Sequence, residues 1–231
     1  LLGRFKFNVL IRSVMRISHL FILLAASAML TACDFLDEYN PNSVTVGNYY
    51  TSEEDIVASL NGVYTSLTQS YVADNYHYFT DVRANATVVT NSGANSGIPY
   101  QFYNYTLTEE NVYVYNRYSQ LYKIISRANT LFAHLGDVSY ATPSARDTYE
   151  AEARFLRALS YYWLVTEWGD VPLVLKVLES TEEVRANNYR RPKAEIYQAI
   201  FDDLKYVTES PLPDVQPASA CGKVSKAAAW A

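Results

Sequence analysis

The chain has 231 residues, of which 49% are hydrophobic, and a formal net charge of −5. That is enough apolar material for the core of one large or two small domains, and it excludes a globally disordered chain. Residues 1–32 contain Arg4, Lys6, Arg12 and Arg16 and no acid, so the rest carries 15 basic against 24 acidic residues; a chain this acidic lacks the cationic surface that phosphate neutralisation needs, which argues against nucleic acid as a partner.

Met15 and Arg16 open a short positive region, followed by an apolar run from His19 to Leu30. The run is too short to span a bilayer, and the sequence positive start, short apolar core, small residues describes a secretory signal peptide over 1–32. Residues 1–14 precede a better start at Met15 and read as an upstream extension or a misplaced start. The run ends in Leu30-Thr31-Ala32-Cys33, which resembles a bacterial lipobox. Cys33 is then expected to become the first mature residue and to carry acyl chains, each buried methylene contributing roughly 0.8 kcal/mol to anchoring. The acidic, proline-containing segment 33–50 is expected to be an extended tether.

A helical region is expected over 51–231. Thr51-Ser-Glu-Glu54 predicts a capping box, and Ile56, Leu60, Val63 and Leu67 follow at helical spacing. Residues 72–112 show no clear period and are rich in Tyr, Asn, Gly, Ser and Thr; a connection this long is functional or holds short elements of its own. A second helix is expected over about 113–135, with Tyr118, Leu121, Tyr122, Ile125, Ala128, Phe132 and Leu135 on its apolar face and Gly136 as its stop. A third runs from Pro143 to about Trp168, capped by Thr142. One of its seams is Ala151, Phe155, Ala158, Tyr162 and Val165, and the other is Leu156, Leu159 and Trp163. So wide a face implies neighbours on two sides. After Gly169-Asp-Val-Pro172 and an irregular stretch, Pro192 opens a fourth helix lined by Ile196, Ile200, Leu204 and Val207 and ended by Pro211-Leu-Pro213. Residues 222–231 read as the opening of a fifth, which suggests a chain truncated at its C-terminus and marginal in stability alone.

The aperiodic stretch supplies what a sugar binder needs: aromatic faces for the apolar sides of the rings, and polar groups for the hydroxyls. The candidates are Tyr76, His77, Tyr78, Phe79, Asp81, Arg83, Asn85, Asn91, Asn95, Tyr100, Tyr103 and Tyr105. The bland alternative is that these rings only pack the loop onto the helices. Glu152, Arg154 and Arg157 at helical spacing read as structural ion pairs rather than a catalytic carboxylate set. Asn129 reads as a buried amide bonded to a neighbouring helix. His77 and His134 lack the Cys or carboxylate spacing of a zinc site, two cysteines (Cys33 and Cys221) make no disulfide framework, and no phosphate loop, nucleophile elbow or HExxH motif occurs. No metal, cofactor or catalysis is expected.

The segment Glu150-Ala-Glu-Ala-Arg-Phe-Leu-Arg-Ala, its aromatic continuation and Gly169-Asp-Val-Pro-Leu173 resemble the signature of the SusD/RagB family of outer-membrane nutrient-binding lipoproteins, with Glu152, Arg154, Arg157, Gly169, Asp170 and Pro172 as its structural residues. Cys33-Asp-Phe-Leu-Asp37, Tyr118–Asn129, Arg191–Leu204 and Gly222–Ala228 resemble further family segments in the same order; Tyr113 and Tyr115 stand where a tryptophan is common. The resemblance implies an all-α, tetratricopeptide-like helical-repeat scaffold with long inserted loops. It also implies a non-catalytic, lipid-anchored outer-membrane protein that faces the cell surface, binds oligosaccharide, and hands it to a SusC-like TonB-dependent transporter. Capture of peptide in place of glycan stays open, as does a periplasmic helical-repeat scaffold for protein assembly. A lipoprotein glycosidase is disfavoured because no acid/base pair stands out.

Overall fold

The computed structural model describes residues 49–90, 93 and 97–231. Residues 1–48, which include the expected signal peptide, Cys33 and most of the expected tether, lie outside the described residues, as do Asn91 and Asn95.

Helix α1 spans Glu53–Leu67. Its capping box sits one residue later than the Thr51–Glu54 pattern suggests: Ser52 is the N-cap, and Asp55 closes the box from the third helical position. A shorter acid does the job because Asp55 Oδ2 reaches the backbone N–H groups of both Thr51 and Ser52, at 3.1 and 3.0 Å. Ile56, Leu60 and Val63 are buried, as their spacing requires.

The 72–112 stretch holds two short elements, a π-helical turn at Tyr78–Val82 and helix α2 at Tyr100–Tyr103. Val82, Phe102 and Tyr113 form a small core of their own beneath them, flanked by Tyr71, Tyr78, Phe79 and Tyr103. The described residues of this insert therefore have an apolar centre of their own.

Helix α3 spans Val112–His134, and Asn111 caps it by accepting from the amides of Tyr113 and Val114. Its most buried stripe is Leu121, Ile124, Ile125, Ala128 and Leu131, displaced from the expected face, so that Tyr118, Tyr122 and Phe132 flank the core. Gly136 follows the helix without the positive φ that Gly97, Gly169 and Gly222 show, so it is not a left-handed stop.

Helix α4 spans Ala145–Trp168. It starts after a Thr142–Ala145 turn and has no side-chain cap, so Thr142 is not its N-cap and Pro143 lies before the first turn. Tyr161 and Leu164 are buried in the seam where Tyr162 was expected, and Tyr162 is exposed. Helix α5, Thr181–Asn187, occupies the stretch read as irregular; it buries no residue, so hydrophobic periodicity had nothing to register. Helix α6 spans Lys193–Glu209, and helix α7 spans Lys226–Trp230 behind the N-cap Ser225.

Named contacts fix the packing. Arg127 on α3 donates to the Gly62 carbonyl and the Ser66 hydroxyl of α1, while Arg117, nearer the start of α3, reaches Tyr71 and Val72 beyond the end of α1. Arg117 pairs with Glu167 near the end of α4, and Asn129 with Arg157 near its middle. Arg157 meets Asp203 of α6, while Asp170 past the end of α4 meets Lys193 at the start of α6. The pairs α1–α3, α3–α4 and α4–α6 therefore run antiparallel, with α4 packed against α1, α3 and α6. This is the expected all-α, tetratricopeptide-like scaffold.

Candidate functional site

The signature segment builds the frame that positions the insert. Arg157 is buried; its Nε and Nη2 donate to Asp203 at 2.8 and 2.7 Å, and its Nη1 donates to the Asn129 side-chain oxygen at 2.7 Å. Arg154 pairs with Glu150 at 2.7 Å and Asp203 at 2.9 Å. Glu152 accepts from the Tyr64 hydroxyl of α1 at 2.6 Å and lies 3.8 Å from Lys223 Nζ. Burial raises the Glu152 carboxyl above its ordinary pKa, against the pull of Tyr64 and Lys223. These side chains join helices to one another.

Gly169 ends α4 at φ +74° and ψ −119°, a backbone state open essentially to glycine alone. The chain then runs as a strap across α3 and α4. The Pro172 carbonyl accepts from Tyr122 at 2.6 Å, and the Val174 carbonyl accepts from Tyr161 and Asn129 at 2.9 and 3.0 Å. Asp170 Oδ1 accepts from the backbone N–H of Lys193 at 2.9 Å, capping α6 from outside that helix. Tyr161 links the aromatic run to the strap: its hydroxyl donates to the Val174 carbonyl and accepts from the Val174 amide, at 2.9 and 2.7 Å.

On this frame the candidate side chains fall into separate groups. Tyr76 is 38% exposed; its ring lies 6.0 Å from Trp163 and 4.9 Å from the Arg117 guanidinium. His77 and Tyr78, with rings 4.1 Å apart, line a cleft of about 460 Å³ together with Val82, Thr87, Val88, Val89, Thr90 and Pro99. Tyr78 is half-buried against Phe102 and Tyr113, and that burial raises its hydroxyl pKa. Tyr105 is exposed and donates to the Arg83 carbonyl at 2.8 Å. Asn85 and Tyr105 both hold positive φ, 58° and 60°, which shapes the turns on either side of that bond. Asp81 is exposed, and its carbonyl accepts from the amides of Ala86 and Thr87. Tyr100 and Tyr103 pack on each other at 5.6 Å and do not line the cleft.

Sequence reasoning missed the residues that tie the insert down. Arg117 is completely buried, forked onto Glu167 at 2.6 Å through both Nε and Nη2. Burial raises the Glu167 pKa, and the Arg117 fork opposes that shift. The available signal was positional: residues 117, 121, 124 and 128 share one helical stripe, and a charge in an apolar stripe demands a buried partner. Among the described residues no group of three or more His, Cys, Asp or Glu is placed to hold a metal ion, and no helix is long and apolar enough to cross a membrane.

Comparison with known proteins places this architecture. The SusD-like family described as starch-binding and associating with the outer membrane matches residues 34–231. SusD-like protein P2 of Formosa agariphila is 28% identical over 202 residues, covering 87% of this chain and 39% of that protein. A SusD-like protein of Bacteroides ovatus is 25% identical over 207 residues, covering 84% and 35%. Among solved structures, a laminarin-binding SusD-like protein superposes with a TM-score of 0.66 at 28% identity, over 78% of this chain and 38% of its own. A SusD homolog from Bacteroides thetaiotaomicron gives 0.65 at 26%, over 80% and 35%. The chain thus spans about two fifths of the length of these relatives. A family match covering everything after Cys33, together with the same helical frame in solved relatives, means that this chain belongs to the SusD-like family.

Proposed function

We propose that the chain is the helical part of a cell-surface lipoprotein, anchored through Cys33, that captures oligosaccharide and delivers it to a SusC-like TonB-dependent transporter in the outer membrane. The observation that carries the reading is the insert: an aromatic-rich segment that leaves Tyr76, His77 and Tyr105 exposed, with His77 and Tyr78 lining a cleft. Tyrosine suits this task because its ring face stacks on the C–H face of a pyranose while its hydroxyl stays hydrated. Arg83, Asp81 and Asn85 stand on the same insert to meet sugar hydroxyls. Glu152, Arg154, Arg157, Gly169, Asp170 and Pro172 serve the frame in this reading, since their contacts run between helices and strap. The laminarin-binding relative supports glycan over peptide as the ligand class.

The test is a panel of soluble polysaccharides, laminarin and amylopectin among them, against the complete gene product without its leader. Affinity electrophoresis and calorimetry read binding, and a reducing-sugar assay reads turnover. Binding to one glycan class with no new reducing ends is the expected result. Binding to none of them would turn attention to peptide ligands or to protein assembly.

A further inference from the structure

The insert is poor in periodic apolar residues, and one side chain ties its first residues to the helices. Arg117 donates from Nη1 to the carbonyls of Tyr71 and Val72 at 3.1 and 3.2 Å. Its guanidinium lies 4.9 Å from the ring centroids of both Tyr76 and Phe79 and 5.5 Å from that of Trp163. Its remaining fork is spent on Glu167. The same planar cation therefore holds two backbone carbonyls and two rings of the insert against α3 and α4.

We propose that Arg117 is the positioning residue of the insert: it fixes residues 71–79 on the α3–α4 face before any ligand arrives, so that Tyr76 offers a pre-set stacking surface. The part of this that concerns sugar rests on the glycan reading above. Only an arginine fits the role. A lysine is a point charge that cannot fork onto Glu167, reach two carbonyls and lie flat between rings at once. Pre-setting matters because a segment ordered only on binding gives up part of its contact energy to that ordering.

The test uses the complete gene product without its leader. Removing Arg117 alone leaves Glu167 buried without its partner, so the main variant is R117M/E167Q, which removes both charges. Hydrogen exchange without ligand should show residues 70–82 exchanging at least about tenfold faster while the amides of α1 and α4 keep their protection. R117K, which keeps the charge, should show the same local loss. Affinity for laminarin, or for the panel glycan the native protein binds, should fall about tenfold in both, with little change in melting midpoint. Unchanged protection of 70–82 in R117K and the double variant overturns the proposal. A loosened insert with undiminished glycan affinity overturns the claim that the pre-set geometry serves the ligand. Failure of the native protein to bind any glycan defeats the glycan reading instead, and the exchange experiment still decides what Arg117 holds.

Discussion

Asp203 of α6 takes both arms of the Arg157 guanidinium, at 2.8 and 2.7 Å, and also accepts from Arg154 at 2.9 Å. One carboxylate thus serves two cations of the signature helix, and both Asp203 and Arg157 are nearly inaccessible to water. Removing it leaves the buried Arg157 charge without a carboxylate, while Arg154 keeps Glu150. Asp203→Ala is expected to lower the unfolding free energy by about 3–5 kcal/mol, read by urea denaturation. A loss under about 1 kcal/mol would mean that water reaches the network and that the pair resembles a surface bridge.

Gly169 separates backbone strain from crowding. A Cβ built there meets nothing within 4 Å, yet the residue sits at φ +74° and ψ −119°. Gly169→Ala is therefore expected to cost about 1–3 kcal/mol through the main chain alone. An unaltered melting midpoint would show that the strap can leave α4 by another route.

The pH dependence follows from Glu152. Its folded pKa is raised, so folding favours the protonated carboxyl. That contribution is complete below the ordinary value of 4.5 and is lost as pH rises through the folded value. Glu152→Gln mimics the protonated state and can still accept from Tyr64. Melting curves from pH 4 upward should show the glutamine variant gaining on the native protein as pH increases. A uniform loss at neutral pH would show that the Lys223 pair outweighs the burial.

Tyr76 and Tyr115 make a matched comparison for ligand capture. Both are exposed, but Tyr76 stands on the insert against Arg117 and Tyr115 on the outer side of α3. Tyr76→Ala should weaken glycan binding about tenfold or more in calorimetry, with Tyr115→Ala near neutral. Equal effects of the two would count against the insert as the binding surface.

The helices that carry the frame were legible because their apolar residues repeat: Ile56, Leu60 and Val63, or Ile196, Ile200 and Val207, are buried at the spacing the sequence displays. Hydropathy could not place Arg117 and Asp203, since a buried charge looks like a surface charge until its partner is known. The missed helix α5 illustrates a different limit. It has no apolar face, but Ser180-Thr-Glu-Glu183 opens it, and Ser180 does accept from the Glu183 amide at 3.1 Å. The capping pattern was readable where periodicity was silent. The insert folds around Val82, Phe102 and Tyr113, which are too far apart in sequence for any local period to connect them.

The lone bridge between Val171 and Arg191, with the Arg191 amide donating to the Val171 carbonyl at 2.9 Å, brings the chain back to the point where it left the frame. The excursion between these residues includes the wholly unburied α5, and loop closure entropy grows only slowly with length. Residues can be added or deleted around α5, beyond the strap carbonyls of Pro172 and Val174, without altering how α4 meets α6. It is a place where the scaffold can acquire a new surface while its helices stay in register, so a tag or fluorophore grafted near residue 185 would report on the protein without disturbing its frame.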